Sequence, residues 1–426
     1  MHGVDILPIG QLLSHLWRRP KASTLLGIGP MSPLIIEASL DLAEEHHFPV
    51  MFIASRNQVD IDDYGGGYVS RWDQERFAHD IARVAHRTGF AGIYYLCRDH
   101  GGPWQRDEEY KAALDEREAL ERAKASYVAD LKAGFDILHI DPTKDPHRES
   151  LPLELVMERT VELIEYVERK KLELGIERQI GYEVGTEETK GGYINPGVFK
   201  GFLKELIGRL AQKGLPEPDF IVGQTGTLVR MGTNVGEVDI NLAGTLAAIA
   251  KDYAVGFKEH NADYLSNEQL ELHPRVGITA ANVAPEFGHI QTRAYLAEYQ
   301  REMELVGKKS SSDFYGILVS EVLASGRWQK WLVPEHGGST IESLQEDPAK
   351  LRQIIEACGH YVFDRPVIIE AINQMYANQA KSGDYHGPDR VYERVKSGIE
   401  RYVLHLNLSG VLDKGLPGEL PSYTGA

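Results

Sequence analysis

The sequence predicts an α/β fold, a (β/α)₈ TIM barrel followed by a C-terminal α-helical extension. The chain has 426 residues, which exceeds one average domain but suits a barrel with an additional part. Short apolar runs rich in β-branched and aromatic residues alternate with longer charged segments of helical periodicity. We count eight such runs, and eight parallel strands close a barrel.

The predicted strands and helices alternate along residues 24–305. The strands are 24–29, 49–55, 92–99, 136–141, 179–185, 219–226, 254–260 and 276–282. The helices are 33–46, 72–88, 107–133, 151–174, 196–213, 237–252, a short 265–272, and 285–305. A doubly wound open sheet is the alternative, but no GxGxxG or GxxxxGKS/T motif follows the first strand, where a nucleotide-binding sheet usually carries one. The barrel is therefore the favoured fold.

Beyond residue 305 the pattern changes to helices only. A linker at 307–313 opens this part and ends in residues that can cap a helix. The predicted helices are 314–325, 348–359, 366–381 and 388–404. We therefore expect two parts, a barrel over 1–305 and an α-helical extension over 306–426. The extension could cover the barrel mouth or form an oligomer interface, and both alternatives remain open.

Composition and charge exclude several classes of protein. A formal net charge of −17 is unsuited to non-specific nucleic-acid binding, which needs a basic surface. The two cysteines provide neither a disulfide framework nor a zinc-binding spacing. The sequence shows no signal-peptide pattern and no apolar stretch of membrane-spanning length. We expect a cytoplasmic protein without a nucleic-acid or membrane partner.

Polar residues stand at the carboxyl ends of the predicted strands, where barrel enzymes place their active sites. His100, Glu187 and His260 occur at the ends of strands three, five and seven. Histidine and carboxylate ligands that leave room for water are the usual form of a catalytic zinc, manganese or cobalt site. One histidine at a strand end is more often structural, but three such residues on one rim indicate a metal site.

For two further residues, Glu183 and Gln224, the sequence leaves open whether they bind the metal. Glu183 precedes Glu187 by four residues, so only one of the two points straight into the barrel. We favour Glu187 as the ligand, and Glu183 is then a paired carboxylate buried in the core. Gln224 could complete the shell through its amide oxygen or orient substrate hydroxyl groups.

Asp99 directly precedes His100, and a loop after a strand can present both side chains to one site. A carboxylate that lies beside a metal without binding it can act as a general base. The alternative is a salt bridge from Asp99 to Arg98 or Arg56. The sequence predicts the catalytic role first.

Glycine-rich loops follow strands two and five, at 65–67 and 190–192. Their free N–H groups could bind phosphate oxygens or close over a substrate, although each loop could equally be a flexible turn. Together with polar residues at other strand ends they define the substrate-binding candidates. These are Ser55, Arg56, Asn57, Lys190, Gly191, Asn261, Asp263 and Asn282.

Six segments of the predicted barrel resemble the GatZ/KbaZ-type subunits of class II D-tagatose-1,6-bisphosphate aldolase and the related tagatose and fructose 4-epimerases. The segments are 33–38 (PLIIEA), 55–59 (SRNQV), 99–103 (DHGGP), 139–141 (HID), 185–187 (GTE) and 260–264 (HNADY). The resemblance implies a class II aldolase-type barrel with a bound divalent metal, zinc first, with manganese, cobalt or nickel as alternatives. It also implies Asp99 as the base, with Glu188 or Asp141 as its acid partner.

The chain resembles class II fructose-bisphosphate aldolases more distantly and departs from their pattern in two ways. Those enzymes have a metal histidine after strand six, where this chain has Gln224. They bind substrate phosphate with Gly-Gly-Ser and Asn-Ile-Asp-Thr loops, where this chain has 261–263 (NAD) and 282–284 (NVA). Because an anion needs convergent N–H donors or cations, a bisphosphate substrate is disfavoured.

The resemblance implies a metal-dependent 4-epimerase that interconverts the fructose and tagatose forms of a ketohexose or a ketohexose phosphate. The alternatives are a D-tagatose-1,6-bisphosphate aldolase and a non-catalytic subunit that stabilises a separate class II aldolase catalytic subunit. A sugar kinase, an activity also attached to this family, is disfavoured because the sequence has no nucleotide-binding loop. We also expect the chain to form a homo-oligomer.

Overall fold

The computed structural model is a closed barrel of eight parallel strands, and it describes residues 6–185, 194–223, 225–230, 232–234, 236, 238–332 and 340–413. The strands in chain order are β1 (Leu25–Ile28), β2 (Val50–Ser55), β3 (Tyr94–Gly101), β4 (Ile137–Ile140), β5 (Gly181–Gly185), β6 (Phe220–Val222), β7 (Val229–Arg230), β8 (Thr233–Asn234), β9 (Gly256–Glu259) and β10 (Ala280–Val283). Strands β7 and β8 form a separate antiparallel pair, and the other eight form the barrel. β10 pairs with β1 and closes it, which confirms the predicted fold class.

Helices surround the barrel and continue after it. Those up to the last barrel strand and the helix that follows it are α1 (Ile9–Arg18), α2 (Pro33–His46), α3 (Gln74–Thr88), α4 (Asp107–Lys111), α5 (Glu116–Ala133), α6 (Leu153–Glu173), α7 (Pro196–Gln212), α8 (Ile240–Asp252), α9 (Asn267–Val276) and α10 (Pro285–Val306). The later helices are α11 (Phe314–Ser325), α12 (Ile341–Gln345), α13 (Pro348–Cys358), α14 (Pro366–Lys381) and α15 (Gly387–His405).

Local sequence signals explain two of the differences between the predicted and the observed element boundaries. The predicted helix 107–133 is divided into α4 and α5, because the Asp115 side chain accepts a hydrogen bond from the Glu118 N–H and starts a new helix. The last barrel strand begins at Ala280 and not at 276. Val276 ends α9, and Gly277 follows it in the left-handed region with φ 90°.

Helix α1 was not among the predicted elements. Its residues Ile9, Leu12, Leu13 and Leu16 are buried in the same apolar cluster as the barrel strands. Just before the helix, the Leu7 carbonyl accepts a hydrogen bond from the Tyr95 hydroxyl at 2.8 Å. The amphipathic segment therefore covers apolar surface of the barrel.

The extension is helical, and its parts pack in two different places. Helix α15 contacts α2, α9 and α10, and its Val395, Ile399 and Tyr402 belong to the barrel's apolar cluster. Helices α11 to α14 enclose a second apolar cluster together with the C-terminal half of α10. A division at residue 305 stays a prediction, but the apolar packing assigns α15 to the barrel.

Buried arginines join the loops after β2 and β3 to the helices behind them. Arg98 binds Asp130 through two hydrogen bonds of 2.9 and 2.5 Å, and both side chains are fully buried. Arg56 binds Asp60 and Glu109, and it also donates to the Gly102 carbonyl at 2.9 Å. These pairs hold the chain on both sides of the Asp99–His100 segment.

Within the described ranges, every helix falls short of the length and apolar character that a membrane crossing requires.

We expect Arg98→Met to lower the free energy of unfolding by about 3–5 kcal/mol. The substitution leaves the Asp130 carboxylate buried without its partner, and removing one member of a buried pair has about that cost. Urea unfolding monitored by circular dichroism measures the change.

Arg83→Met is the matched control, because Arg83 pairs with Asp80 at 3.1 Å on the surface and is more than half exposed. Surface pairs contribute about 0–1 kcal/mol. Equal destabilisation by the two substitutions would contradict a structural role for the buried pair.

Candidate active site

A cavity of about 380 Å³ opens at the carboxyl ends of the barrel strands. Loops after β2, β3, β4, β9 and β10 contribute to its wall, as the active site of a barrel requires. Of the predicted site residues, the cavity is lined by Ser55, Asn57, Asp99, His100, Asp141, His260, Asn261, Asp263 and Asn282. The structure therefore brings together residues that are up to 227 positions apart, from Ser55 to Asn282.

The end of β3 presents two neighbouring side chains to the cavity. His100 has φ 45°, in the left-handed region, and the pairing of β3 with β4 shifts register between Arg98 and Gly101. A regular strand would point adjacent residues to opposite faces. This irregularity allows both Asp99 and His100 to line the cavity, and such local strain is common at functional sites.

Three imidazoles and two carboxylates converge at the cavity, and three of these five side chains line it. His100, His139 and His260 form one group of potential metal ligands, and Asp99, Glu183, His139 and His260 form an overlapping one. Within each group the ligand atoms lie within 4.8 Å of one another. His260 Nδ1 lies 3.0 Å from His100 Nε2 and 3.5 Å from Asp99 Oδ1. This set of His, Asp and Glu side chains could hold a metal ion.

Carboxylates orient two of these histidines from behind. The Asp141 carboxylate lies 2.6 Å from His100 Nδ1, and Glu183 Oε1 lies 2.6 Å from His260 Nε2. Lys258, buried in the barrel, donates to the other oxygen of Glu183 at 2.5 Å. Burial alone would raise the pKa of Glu183, but Lys258 and the histidines hold it well below its usual range. Such carboxylate–histidine contacts fix the ring orientation of metal-binding histidines.

His139 supplies the test of whether the cluster fits a metal. Its Nε2 atom is buried and has no hydrogen-bond partner in the described part of the chain. Burial lowers the pKa of His139 to about 4, so the imidazole is neutral near neutral pH and has one ring nitrogen with a free lone pair. That nitrogen is Nδ1, which accepts the His100 N–H at 3.2 Å and lies 3.4 Å from Glu183 Oε1, so it is the atom that could bind a metal. The donor set of imidazoles and carboxylates fits zinc, manganese, cobalt or nickel.

The Asp99 carboxylate is available as a base, because the two arginines that could have paired with it bind other carboxylates. Arg98 binds Asp130, and Arg56 binds Asp60 and Glu109. Asp99 Oδ1 accepts a hydrogen bond from Asn282 Nδ2 at 3.0 Å. Burial opposes ionisation of Asp99, but His100 and His260 hold the pKa of this carboxyl below its usual range.

Three predicted site residues make contacts that the sequence did not predict, and one of them lies away from the cavity. Arg56 does not reach the cavity, because it is fully buried and its guanidinium binds Asp60 and Glu109; it positions the loops. Asp141, predicted as an acid partner, lines the cavity, and its carboxylate contacts His100 Nδ1; burial opposes its ionisation, but His100 holds the pKa of Asp141 below its usual range, and its acid role stays a prediction. Asp263 lines the cavity while its Oδ1 accepts the N–H groups of Ala284 and Glu286 at the start of α10.

Five predicted residues lie outside the part of the chain that the structure describes. They are Glu187, Glu188, Lys190, Gly191 and Gln224. Their predicted roles as ligands, acid partner and substrate contacts stay predictions.

Sequence reasoning did not single out His139 as a ligand and gave Glu183 a structural role. A signal for His139 was present, since it precedes Asp141 by two residues and side chains two apart on a strand point to the same face. Glu183 lies in the barrel core paired with Lys258, and it also contacts His260. The cavity wall also includes Lys144 and residues of the extension, for which the strand pattern offered no signal.

Comparison with known proteins supports the fold and the predicted resemblance. The model of the family described as D-tagatose-1,6-bisphosphate aldolase subunit GatZ/KbaZ-like matches residues 13–196, which confirms the resemblance over that segment. A probable tagatose 6 phosphate kinase from Sinorhizobium meliloti 1021 is 20% identical with a TM-score of 0.70, over 90% of this chain and 100% of that one. A glycerol-bound fructuronate-tagaturonate epimerase, UxaE, from Cohnella laeviribosi is 13% identical with a TM-score of 0.56, over 91% and 82% of the two chains. Both structures share the fold.

We expect the purified protein to bind a divalent transition metal, and His139→Ala and His260→Ala each to weaken that binding by at least about tenfold. The reason is that each substitution removes an imidazole from the cluster, and even supporting residues of metal sites have effects of about 10- to 100-fold. Titration with Co²⁺, followed by its visible absorption, measures affinity without turnover.

His79→Ala is the control, since the His79 side chain is about three-quarters exposed on α3 and does not belong to the cluster of potential ligands. Unchanged Co²⁺ affinity in both cluster variants would show that the histidines do not bind metal.

Proposed function

We propose that the protein is a metal-dependent 4-epimerase of a ketohexose or ketohexose phosphate, which interconverts fructose and tagatose forms by retro-aldol cleavage and re-addition. The observation that carries the proposal is the Asp99 carboxylate, which lines the cavity 3.5 Å from the imidazole of His260 within the cluster of potential metal ligands. A base beside a Lewis-acid site is the combination that aldol chemistry needs.

The position of the carbonyl group explains why cleavage is required. In a ketohexose the carbonyl is at carbon two, so the proton on carbon four is not adjacent to it and its removal yields no stabilised carbanion. Loss of the proton from the carbon-four hydroxyl instead allows the bond between carbons three and four to break. Carbon four becomes an aldehyde, and the electron pair of the broken bond moves onto the three-carbon fragment as an enediolate. Re-addition to the other aldehyde face, with return of the proton, yields the 4-epimer.

Residues of the cavity have separate tasks in this reaction. Asp99 accepts the proton of the carbon-four hydroxyl and returns it after re-addition. His100, His139 and His260, with Glu183 near them, would hold a divalent cation, for which we favour zinc. When bound, such a cation supplies Lewis-acid stabilisation of negative charge on substrate oxygens. Ser55, Asn57, Asn261 and Asn282 offer hydrogen bonds to sugar hydroxyl groups.

Two alternatives differ from the proposal in the fate of the fragments. An aldolase releases both fragments, whereas an epimerase retains them until re-addition. A non-catalytic subunit of a separate aldolase would need no turnover of its own. The matching family is described as an aldolase subunit, whereas one protein of the same fold is a fructuronate-tagaturonate epimerase. The base and the ligand cluster both belong to this chain, which favours a catalytic protein over the accessory subunit. We favour the epimerase over the bisphosphate aldolase because the sequence lacks the phosphate-binding loops of those aldolases.

The test is carbon NMR of the metal-loaded protein without a partner, incubated separately with fructose 6-phosphate, fructose and tagatose 1,6-bisphosphate. We expect tagatose or tagatose 6-phosphate to form and a chelator to abolish the reaction. Triose phosphates from the bisphosphate would favour the aldolase. If the metal-loaded protein forms no product from any of the three substrates, the proposal is refuted and the accessory subunit is favoured.

We expect Asp99→Asn to lower kcat by about 10²- to 10⁴-fold, since the amide cannot accept the proton. The variant should keep Co²⁺ affinity within about tenfold if Asp99 acts as base and is not a required ligand. Asp107→Asn, at another carboxylate of the same cavity, is the comparison and should retain far more activity. Similar losses in both variants would contradict the assignment of Asp99 as base.

A further inference from the structure

The outer wall of the cavity comes from the C-terminal extension. Two short 3₁₀ segments, Arg327–Trp331 and Gly359–Val362, bring four residues to it. The four residues are Lys330, Trp331, His360 and Tyr361. The extension is therefore a part of the cavity and not only a neighbour of the barrel.

This wall is held by contacts between aromatic side chains. Trp331 Nε1 donates to the Tyr361 hydroxyl at 2.7 Å, and the ring of Tyr361 lies 4.7 Å from the ring of Tyr68. Tyr68 belongs to the loop after β2, so the contact joins the extension to the barrel. The guanidinium of Arg327 lies 4.6 Å from the centre of the Tyr68 ring. Rigid aromatic contacts of this kind fix the position of charged groups next to them.

Lys330 is a positively charged group set into this wall. Its ammonium nitrogen lies 5.3 Å from the ring centre of Trp331 and 5.6 Å from that of Tyr361. It also lies 3.6 Å from an oxygen of Asp107, which lines the same cavity. The side chain is 40% exposed, so a ligand in the cavity can reach it.

Lys144 is a second lysine of the cavity and lies on the loop after β4. It is half-buried, and in the described ranges of the chain it has neither a hydrogen bond nor an ion pair. Both lysines act on the same carboxylate. Burial opposes ionisation of Asp107, but Lys330, Lys144 and Arg327 hold the pKa of this carboxyl below its usual range. The two lysines of the cavity wall therefore share one carboxylate, Asp107, whereas Arg327 also pairs with Glu108.

We propose that Lys330 and Lys144 form a subsite for the terminal anionic group, phosphate or carboxylate, of the ketose substrate, so that the extension determines specificity between anionic and neutral sugars. The inference rests on the proposed function for the identity of the ligand as a ketose. A partly desolvated anion is bound well by cations that are already positioned, because little further ordering is needed. The subsite replaces the phosphate loops that this sequence lacks.

The experiment compares three small probes that differ only in charge at one end: glycerol 3-phosphate, glycerate and glycerol. Binding to the full-length protein is measured by ligand-observed NMR at low and high salt. We expect glycerol 3-phosphate, glycerate or both to bind at least about tenfold more tightly than glycerol, and this preference to fall with salt. Lys144→Met and Lys330→Met should each remove about tenfold of anion affinity, the effect of one charge-assisted hydrogen bond.

Lys111→Met is the matched control, because Lys111 also acts on Asp107 but is exposed on α4 outside the cavity wall. It should keep the preference for anions. Tighter binding of glycerol 3-phosphate than of glycerate identifies a sugar phosphate, and the reverse identifies a sugar acid. A double variant that carries both Lys144→Met and Lys330→Met should lose the preference. Equal binding of all three probes, or an anion preference that persists in this double variant, would overturn the inference.

Probe binding needs no turnover, so the two proposals fail separately. A protein that epimerises no ketose, but whose double variant loses anion binding, would refute the proposed function and leave the anion subsite standing. Epimerisation combined with unchanged probe binding in the double variant would refute the subsite alone.

Discussion

Closure of the barrel is the constraint on which the site depends. Pairing of β1 with β10, Leu25 with Ala280 through Ile28 with Val283, turns an open row of strands into a ring. The carboxyl ends of all eight strands then face one mouth. His139 of β4 and Glu183 of β5 are direct neighbours, whereas Asp99 of β3 and His260 after β9 come from strands that are not adjacent and meet because the sheet curves into a ring. The site is a property of the ring and of no single segment.

Burying this many charges is possible because each has a partner or is neutral. Lys258 neutralises Glu183 inside the barrel, and Glu183 orients His260. His139 stays neutral because burial lowers its pKa to about 4. The arginines near Asp99 are paired with other acids, which leaves the Asp99 carboxylate to the cavity. A site that binds a cation and moves a proton needs this separation of structural charges from reactive ones.

The sequence predicted the features that depend on local pattern. Alternating apolar and helical segments predicted the eight strands, and polar residues at strand ends predicted the convergence of His100 and His260 with Asp99. It did not predict which way each side chain points. The left-handed φ of His100 and the inward direction of His139 depend on the register between strands, which no single segment encodes. Arg56 has the chemistry of an anion ligand, but Glu109, 53 positions away, engages it in the core.

Long-range packing also explains why the role of the extension was open. The lysine and aromatic residues of its cavity wall reach the site only because the segment 327–331 packs against Tyr68 and Tyr361. Such contacts between distant segments are invisible to periodicity, whereas helix starts and ends follow from caps within a few residues. The barrel supplies the ligand cluster and the base, and the extension completes the cavity around them.

The measurement that tests the central claim most directly is epimerisation in D₂O, with the product analysed by proton and carbon NMR. Cleavage between carbons three and four never breaks the C–H bond at carbon four, so our account predicts a 4-epimer with no deuterium at that carbon. Deuterium at carbon four would show that this C–H bond is broken and would contradict the retro-aldol mechanism and the role of Asp99 in it.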